Sequence, residues 1–163
     1  IAKAISDQYV ASTIVDTILC LDGTEVIGAY LAEHLTKAGV VSMNAHQTIY
    51  ITGPEFNNAG QMMFRDNVQP MIKGKHVLIL IASATTGLTL AGAIDTVKYY
   101  GGITAGISAI FSAAKSVYDQ PIHTLFSSAD IPDYRAYSHN ACKMCQDGMP
   151  IDAICNGFGY SKI

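Results

Sequence analysis

Apolar and polar positions follow two rhythms along this chain, and the sharpest change between them falls between His76 and Tyr100. Val77, Leu78, Ile79, Leu80 and Ile81 form one unbroken apolar run, with the length and β-branched content of a strand covered on both faces. From Leu88 the period lengthens. Leu90, Ala93, Ile94 and Val97 recur every three or four residues, which predicts a helix from Leu88 to about Tyr100 with one buried face, stopped by Gly101 and Gly102. Only a run of small residues, Ala82 to Gly87, separates the two.

The same order of strand, loop and helix occurs earlier. Thr17 to Leu21 reads as a strand, Asp22-Gly23-Thr24 as a turn, and Ile27, Tyr30, Leu31, Leu35 and Ala38 as the buried stripe of a helix ending at Gly39. Ahead of it, Ile5, Tyr9, Val10 and Ile14 predict an amphipathic helix ended by Asp16 and Thr17. Two strand–helix units imply a parallel sheet joined by helical crossovers. Between them, Gln47 to Ile51 and Gln61 to Phe64 predict strands around a loop or hairpin end, Thr52 to Gly60, rich in Gly, Pro and Asn. Ile103 to Ser112 and Ile122 to Phe126 predict further strands, and Tyr134 to Tyr137 a short edge strand. The expected fold class is α/β, a central, mainly parallel sheet flanked by helices, in a single domain over residues 1–163.

Composition narrows the partners. Half of the 163 residues are hydrophobic and 14% are charged, enough apolar surface for a sizeable core. A net charge of −3 leaves no footprint for nucleic acid or an anionic membrane. No apolar run reaches the roughly 18 residues of a membrane span. Nothing resembles a signal peptide, so the expected location is cytoplasmic, and the start at Ile1 rather than Met leaves room for a missing N-terminal segment.

Four cysteines are too few for a secreted disulfide scaffold. His139, Cys142, Cys145 and Cys155 have H-x2-C-x2-C-x9-C spacing, which suits tetrahedral zinc, although buried free thiols are the commoner reading. His34 and His123 sit within apolar patterns, as satisfied core histidines do, and Met62, Met63 and Met71 read as fillers of core gaps. Arg65, Lys73 and Lys75 read as a solvated turn ahead of the central strand. No Ser-His-Asp or Cys-His nucleophile signature is present.

The candidate chemistry lies in the loop Ser83 to Thr89. A loop of small residues that opens directly into a helix leaves peptide N–H groups without partners, a geometry that holds phosphate. Thr85, Thr86 and Thr89 would add hydroxyl donors, and Gly87 would let the backbone curl round the anion. The plainer alternative is an ordinary turn with Thr as N-cap. A Walker A loop and a dinucleotide fingerprint are both excluded by the missing residues.

The run LILIASATTGLT, Leu78 to Thr89, resembles the phosphoribosyl-pyrophosphate (PRPP) signature of type I phosphoribosyltransferases, in which an apolar strand leads through two adjacent acidic residues to Thr-Thr-Gly-x-Thr/Ser. The nearest likeness is to orotate phosphoribosyltransferases, whose C-terminal tail CKMCQDGMPID also resembles. The resemblance implies a Mg²⁺-assisted glycosyltransferase that moves phosphoribose from PRPP to a nucleobase such as orotate, often as a homodimer. It places the 5′-phosphate on Ser83, Ala84, Thr85, Thr86, Gly87, Leu88 and Thr89, and the pyrophosphate at Asp22, Gly23, Thr24 and Glu25. For the second loop, an Asp-Gly turn with Thr24 capping a helix is an equal alternative.

The sequence departs from the pattern twice. The acidic positions fall on Ile81 and Ala82, which cannot accept hydrogen bonds from ribose hydroxyls. The segment where the family carries a basic closing loop, Thr52 to Gly60, holds Glu55 and no Lys or Arg. A catalytically impaired or non-catalytic phosphate- or nucleotide-binding protein of the same fold is therefore the alternative function.

Overall fold

The computed structural model describes residues 1–137, 139–156 and 159–163. In chain order the elements are α1 (Ala2–Ser6), β1 (Thr17–Cys20), α2 (Glu25–Lys37), β2 (Tyr50–Thr52), β3 (Glu55–Phe56), β4 (Met62–Met63) and β5 (His76–Ala84), followed by α3 (Leu88–Tyr99), β6 (Ile103–Ser112), β7 (Ser116–Val117), β8 (Gln120–Ser127), α4 (Lys143–Gln146), β9 (Ala153–Asn156) and β10 (Gly159–Lys162). Strands β2-β1-β5-β6-β8-β7 form the main sheet in that order, parallel except for β7 on β8. The fold is α/β with flanking helices, as the two rhythms require.

Strand β5 divides the core in two because successive side chains leave opposite faces. Val77, Ile79 and Ile81 pack with Leu90, Ala93, Ile94 and Val97 of α3. Leu78 and Leu80 pack on the other face with Ile5, Tyr9, Ile18, Leu31 and Leu35. Each such Leu or Ile contributes about 1.5–3 kcal/mol through burial, so this one strand anchors both layers.

Strand order also fixes where loops converge. From β1 the chain moves to β2 on one side, then crosses β1 to reach β5 and continues through β6 to β8 on the other. The direction reverses between β1 and β5, and ligands of open parallel sheets bind outside the strand ends at such a point.

Several expectations are corrected. The first helix ends at Ser6 rather than Ile14, because the Tyr9 hydroxyl is drawn to Ile107 O at 3.1 Å and Ser108 Oγ at 2.7 Å, and the Val10 carbonyl accepts from Met43 N. Tyr30 lies outside the buried stripe of α2, which runs through Gly28, Leu31, Ala32 and Leu35. Tyr134 to Tyr137 form no strand: Asp133 takes a left-handed φ of 59°, and the Tyr134 ring stacks edge-on against Phe111. The presumed core residue His123 is exposed, its ring 5.4 Å from that of Tyr9, because β8 has little helix cover. His34 is half-buried in the last turn of α2.

Candidate functional site

Strand β5 outruns its neighbour. Its last pair with β1 is Cys20 with Leu80, yet it continues beside β6 to Ala84, opposite Ser112. The chain then turns through Thr85–Gly87 into α3. Gly87 is the N-cap, at φ 80°, and a Cβ there would stand 2.7 Å from Val117 Cγ2. Both the left-handed backbone and the close approach demand glycine.

The donors of this loop are open. The Ala84 carbonyl accepts from Ala113 N at 2.9 Å, but among the described residues no hydrogen bond uses the N–H groups of Thr85, Thr86, Gly87, Leu88 or Thr89. No side chain caps α3, so the ordinary N-cap alternative does not form. Thr85, Thr86, Leu88 and Thr89 are exposed, while Ala84 and Gly87 are buried beneath them.

The loop after β1 lies on the other side of the reversal. Asp22 and Gly23 both take positive φ, 55° and 76°. Thr24 occupies the N-cap position of α2 without capping it. Its Oγ1 donates instead to Leu21 O at 2.9 Å and across to Leu80 O at 3.2 Å, and Leu21 N donates to Leu80 O. The hydroxyl thus ties the loop to β5 and leaves the N–H groups of Asp22, Gly23, Thr24 and Glu25 without a partner among the described residues. Partial burial raises the Asp22 carboxyl above its ordinary range. Glycines bring the flanking elements close: a Cβ on Gly28 would stand 2.6 Å from Cys20 Sγ, and one on Gly53 would stand 3.4 Å from Glu25 Oε1.

The positions between the loops carry no carboxylate. Ile81 is 1% exposed and belongs to the core beneath α3, and Ala82 is half-buried. Strand β3, within the segment Thr52 to Gly60 expected as a loop, pairs as a hairpin with β4, which lies in the expected strand Gln61 to Phe64. Arg65, read from sequence as part of a solvated turn, is held there by Glu55: Nε donates to both carboxylate oxygens at 2.9 Å and Nη2 to one at 2.6 Å. The hairpin register pairs Glu55 with Met63, so Arg65 is the diagonal neighbour on the same face. Between the hairpin and α3 runs a groove of about 950 Å³, lined by Phe56, Met62, Met63, Asp95, Tyr99 and Tyr100. It reaches the β5–α3 loop only at Leu88 and Thr89 and does not include residues 22–25.

Among the described residues the thiols of the expected zinc set do not come together as three. Cys142 is the N-cap of α4 and Cys145 lies within it, Cys155 stands on β9, and the side chain of His139 lies outside the described residues. Among the described residues no three His, Cys, Asp or Glu side chains converge as metal ligands. Cys20 is buried under α2, and burial pushes its thiol up to about 11. Met62, Met63 and Met71 are only partly buried.

No protein-family model and no curated protein sequence matches the chain. Solved structures do. Adenine phosphoribosyltransferase from Trypanosoma brucei, in complex with AMP, pyrophosphate and ribose-5-phosphate, aligns over 91% of this chain and 75% of its own at TM-score 0.57 and 13% identity. A hypoxanthine-guanine phosphoribosyltransferase from Bacillus anthracis aligns over 82% and 76% at TM-score 0.56 and 18% identity. Adenine phosphoribosyltransferase from Thermoanaerobacter pseudethanolicus aligns over 77% of each chain at TM-score 0.55 and 16% identity. The fold is that of the type I phosphoribosyltransferases. These three relatives in structure are purine enzymes by name, and none is named for orotate. No described helix is long and apolar enough to cross a membrane.

Proposed function

We propose that this protein is phosphoribosyltransferase-like: it binds PRPP or a nucleotide 5′-phosphate at the β1/β5 reversal and transfers phosphoribose to a nucleobase. The observation that carries this reading is the row of peptide N–H groups from Thr85 to Thr89, unused among the described residues, beside a second such set at Asp22 to Glu25. Converging neutral donors stabilise a dianion without a lysine. The 5′-phosphate is assigned to Ser83–Thr89 and the pyrophosphate to Asp22–Glu25. The fold shared with an enzyme crystallised with AMP, pyrophosphate and ribose-5-phosphate supports the ligand class.

Mg²⁺ fits this second loop. Asp22 and Glu25 offer hard oxygen donors, and with no third ligand nearby among the described residues, the remaining coordination would come from phosphate oxygens and water. Bound there, Mg²⁺ would supply charge neutralisation for departing pyrophosphate. The chain's own part is to hold the 5′-phosphate and so fix the anomeric carbon in front of the base.

A second reading, binding without turnover, is favoured by one specific observation: Ile81 is packed into the core where a ribose-holding carboxylate is expected from the resemblance. Losing one preorganised stabilising group costs about 3 kcal/mol, roughly a hundredfold in rate. Titration with ribose 5-phosphate and AMP, followed by amide NMR, is expected to shift Thr85–Thr89 first. No binding at millimolar ligand would refute both readings. Pyrophosphate release from PRPP with adenine, hypoxanthine, guanine, orotate and uracil then separates them. Turnover near the roughly 10 s⁻¹ of ordinary enzymes refutes the second, and silence with retained phosphate binding refutes the first. A homodimer goes with the transferase reading. It is supported by the exposed Phe56, Leu88 and Tyr99, and sedimentation tests it.

A further inference from the structure

Far along the chain from the phosphate loops, two thiols meet in a turn that holds itself together. Cys145 Sγ lies 2.7 Å from Cys142 Sγ, and the Cys145 amide donates to the same Cys142 sulfur at 3.2 Å. Bonds from Gln146 N to Cys142 O, Asp147 N to Lys143 O, Gly148 N to Cys145 O and Met149 N to Met144 O close the turn locally, with Gly148 at a φ of 71°. The hydrogen bonds that hold both thiols in place are local to the turn.

The two sulfurs are unequal. Hydrogen bonds from the Cys145 thiol and amide favour the Cys142 thiolate and lower it, while donating its proton raises Cys145. Cys142 is half-buried and Cys145 exposed, so both are open to a reagent of modest size. A thiolate beside a second, protonated thiol is the arrangement that exchanges disulfides. It also differs from the remaining cysteines: Cys20 is sealed in the core, and Cys155 is exposed on β9 with no thiol partner among the described residues.

We propose that Cys142 and Cys145 form a redox-active dithiol that undergoes reversible exchange with small-molecule disulfides. The Cys142 thiolate attacks one sulfur of the disulfide, whose S–S bond breaks to expel one thiolate and leave a mixed disulfide on Cys142. Cys145, giving up its proton, attacks the Cys142 sulfur and expels the second thiolate. The protein dithiol is oxidised to a disulfide, the reagent is reduced to two thiols, and the two protein protons end on them. This site is separate from the phosphate loops and does not depend on the function proposed for them.

The test uses the full chain and glutathione disulfide. After exposure and alkylation, peptide mass mapping should show Cys142 and Cys145 protected, joined to each other, short by two hydrogen atoms, and restored by dithiothreitol. Cys145→Ser should trap a glutathione adduct on Cys142 at least about tenfold faster than Cys142→Ser acquires one on Cys145. Wild-type mapping needs no variant, so a misfolded substitution does not decide the matter. A bridge to Cys155, equal adduct rates in the two serine variants, Cys142 reacting no faster than Cys155, or bound zinc shielding both thiols in the purified chain would each overturn the proposal.

Discussion

The two strand–helix crossings at the reversal share a plan and differ in how tightly they are built. After β5, Gly87 is pressed against Val117, and the loop side chains are neutral. After β1, Gly23 takes a similar φ of 76° but has nothing within 4 Å of where its Cβ would be, and Asp22 and Glu25 flank it. One loop is closely packed and offers neutral donors, which in the proposed function hold the phosphate that stays with the protein. The other is open and carries carboxylates, which in the same proposal meet the phosphate that arrives with a cation and leaves.

The largest effect expected from breaking this comparison lies just before the β5–α3 loop. Ile81→Asp restores an acid of the resembled signature but buries it in the core under α3, and should destabilise by more than about 3 kcal/mol. Ala82→Asp, at a half-buried position, should change stability by less than about 1 kcal/mol and tighten PRPP binding. Urea unfolding together with PRPP titration compares the pair. Equal destabilisation would mean that neither position opens toward the crevice.

Next come the glycines. Gly87→Ala combines a strained φ with the approach to Val117 and should cost about 2–3 kcal/mol, with phosphate affinity falling tenfold or more. Gly23→Ala meets only the backbone term, about 1–2 kcal/mol. Adding Val117→Ala should relieve the first substitution in part and the second not at all, as thermal unfolding would show. Smaller again is Thr24→Val, which takes the hydroxyl donor from Leu21 O and one of two donors from Leu80 O, still held by Leu21 N, and should cost about 1 kcal/mol, with Thr24→Ser restoring most of it.

Both loops could be found in the sequence because their chemistry is local: small residues, threonines and glycine between an apolar run and a helical period. The same locality let β6 be read residue for residue and α3 to within one residue. What escaped depends on distant partners. Thr24 looks like a cap until Leu80 is seen across from it. Arg65 looks solvated until the hairpin register brings Glu55 beside it, and the first helix looks twice its length until Tyr9 is pulled toward Ser108. Periodicity reports which face is apolar, and it says nothing of a hydroxyl with a better offer elsewhere in the fold.

The smallest effect separates the two ends of the β1–β5 pair. At the crevice end the strands are tied by the Thr24 hydroxyl, which does not titrate in the accessible range. At the opposite end Asp16 Oδ2 accepts from the His76 backbone N–H at 2.8 Å and faces His76 Nδ1 at 2.9 Å. Partial burial alone would raise this carboxyl, but the His76 amide and ring and the Lys75 charge outweigh it and hold it below its ordinary value. A carboxyl depressed in the folded state lends stability that is complete above its unfolded pKa of about 3.9 and fades as pH falls through the folded value. With both side chains over 30% exposed, at 41% and 32%, solvent screens the pair and the contribution stays below about 1 kcal/mol. Asp16→Asn should therefore lower the neutral plateau by less than about 1 kcal/mol and flatten the fall in unfolding midpoint below about pH 4, where its curve converges on the wild-type one. Thr24→Val should lower the midpoint by the same amount at every pH. Parallel curves for both substitutions would show that the charge at Asp16 does nothing its amide cannot, and that the two ends are pinned alike.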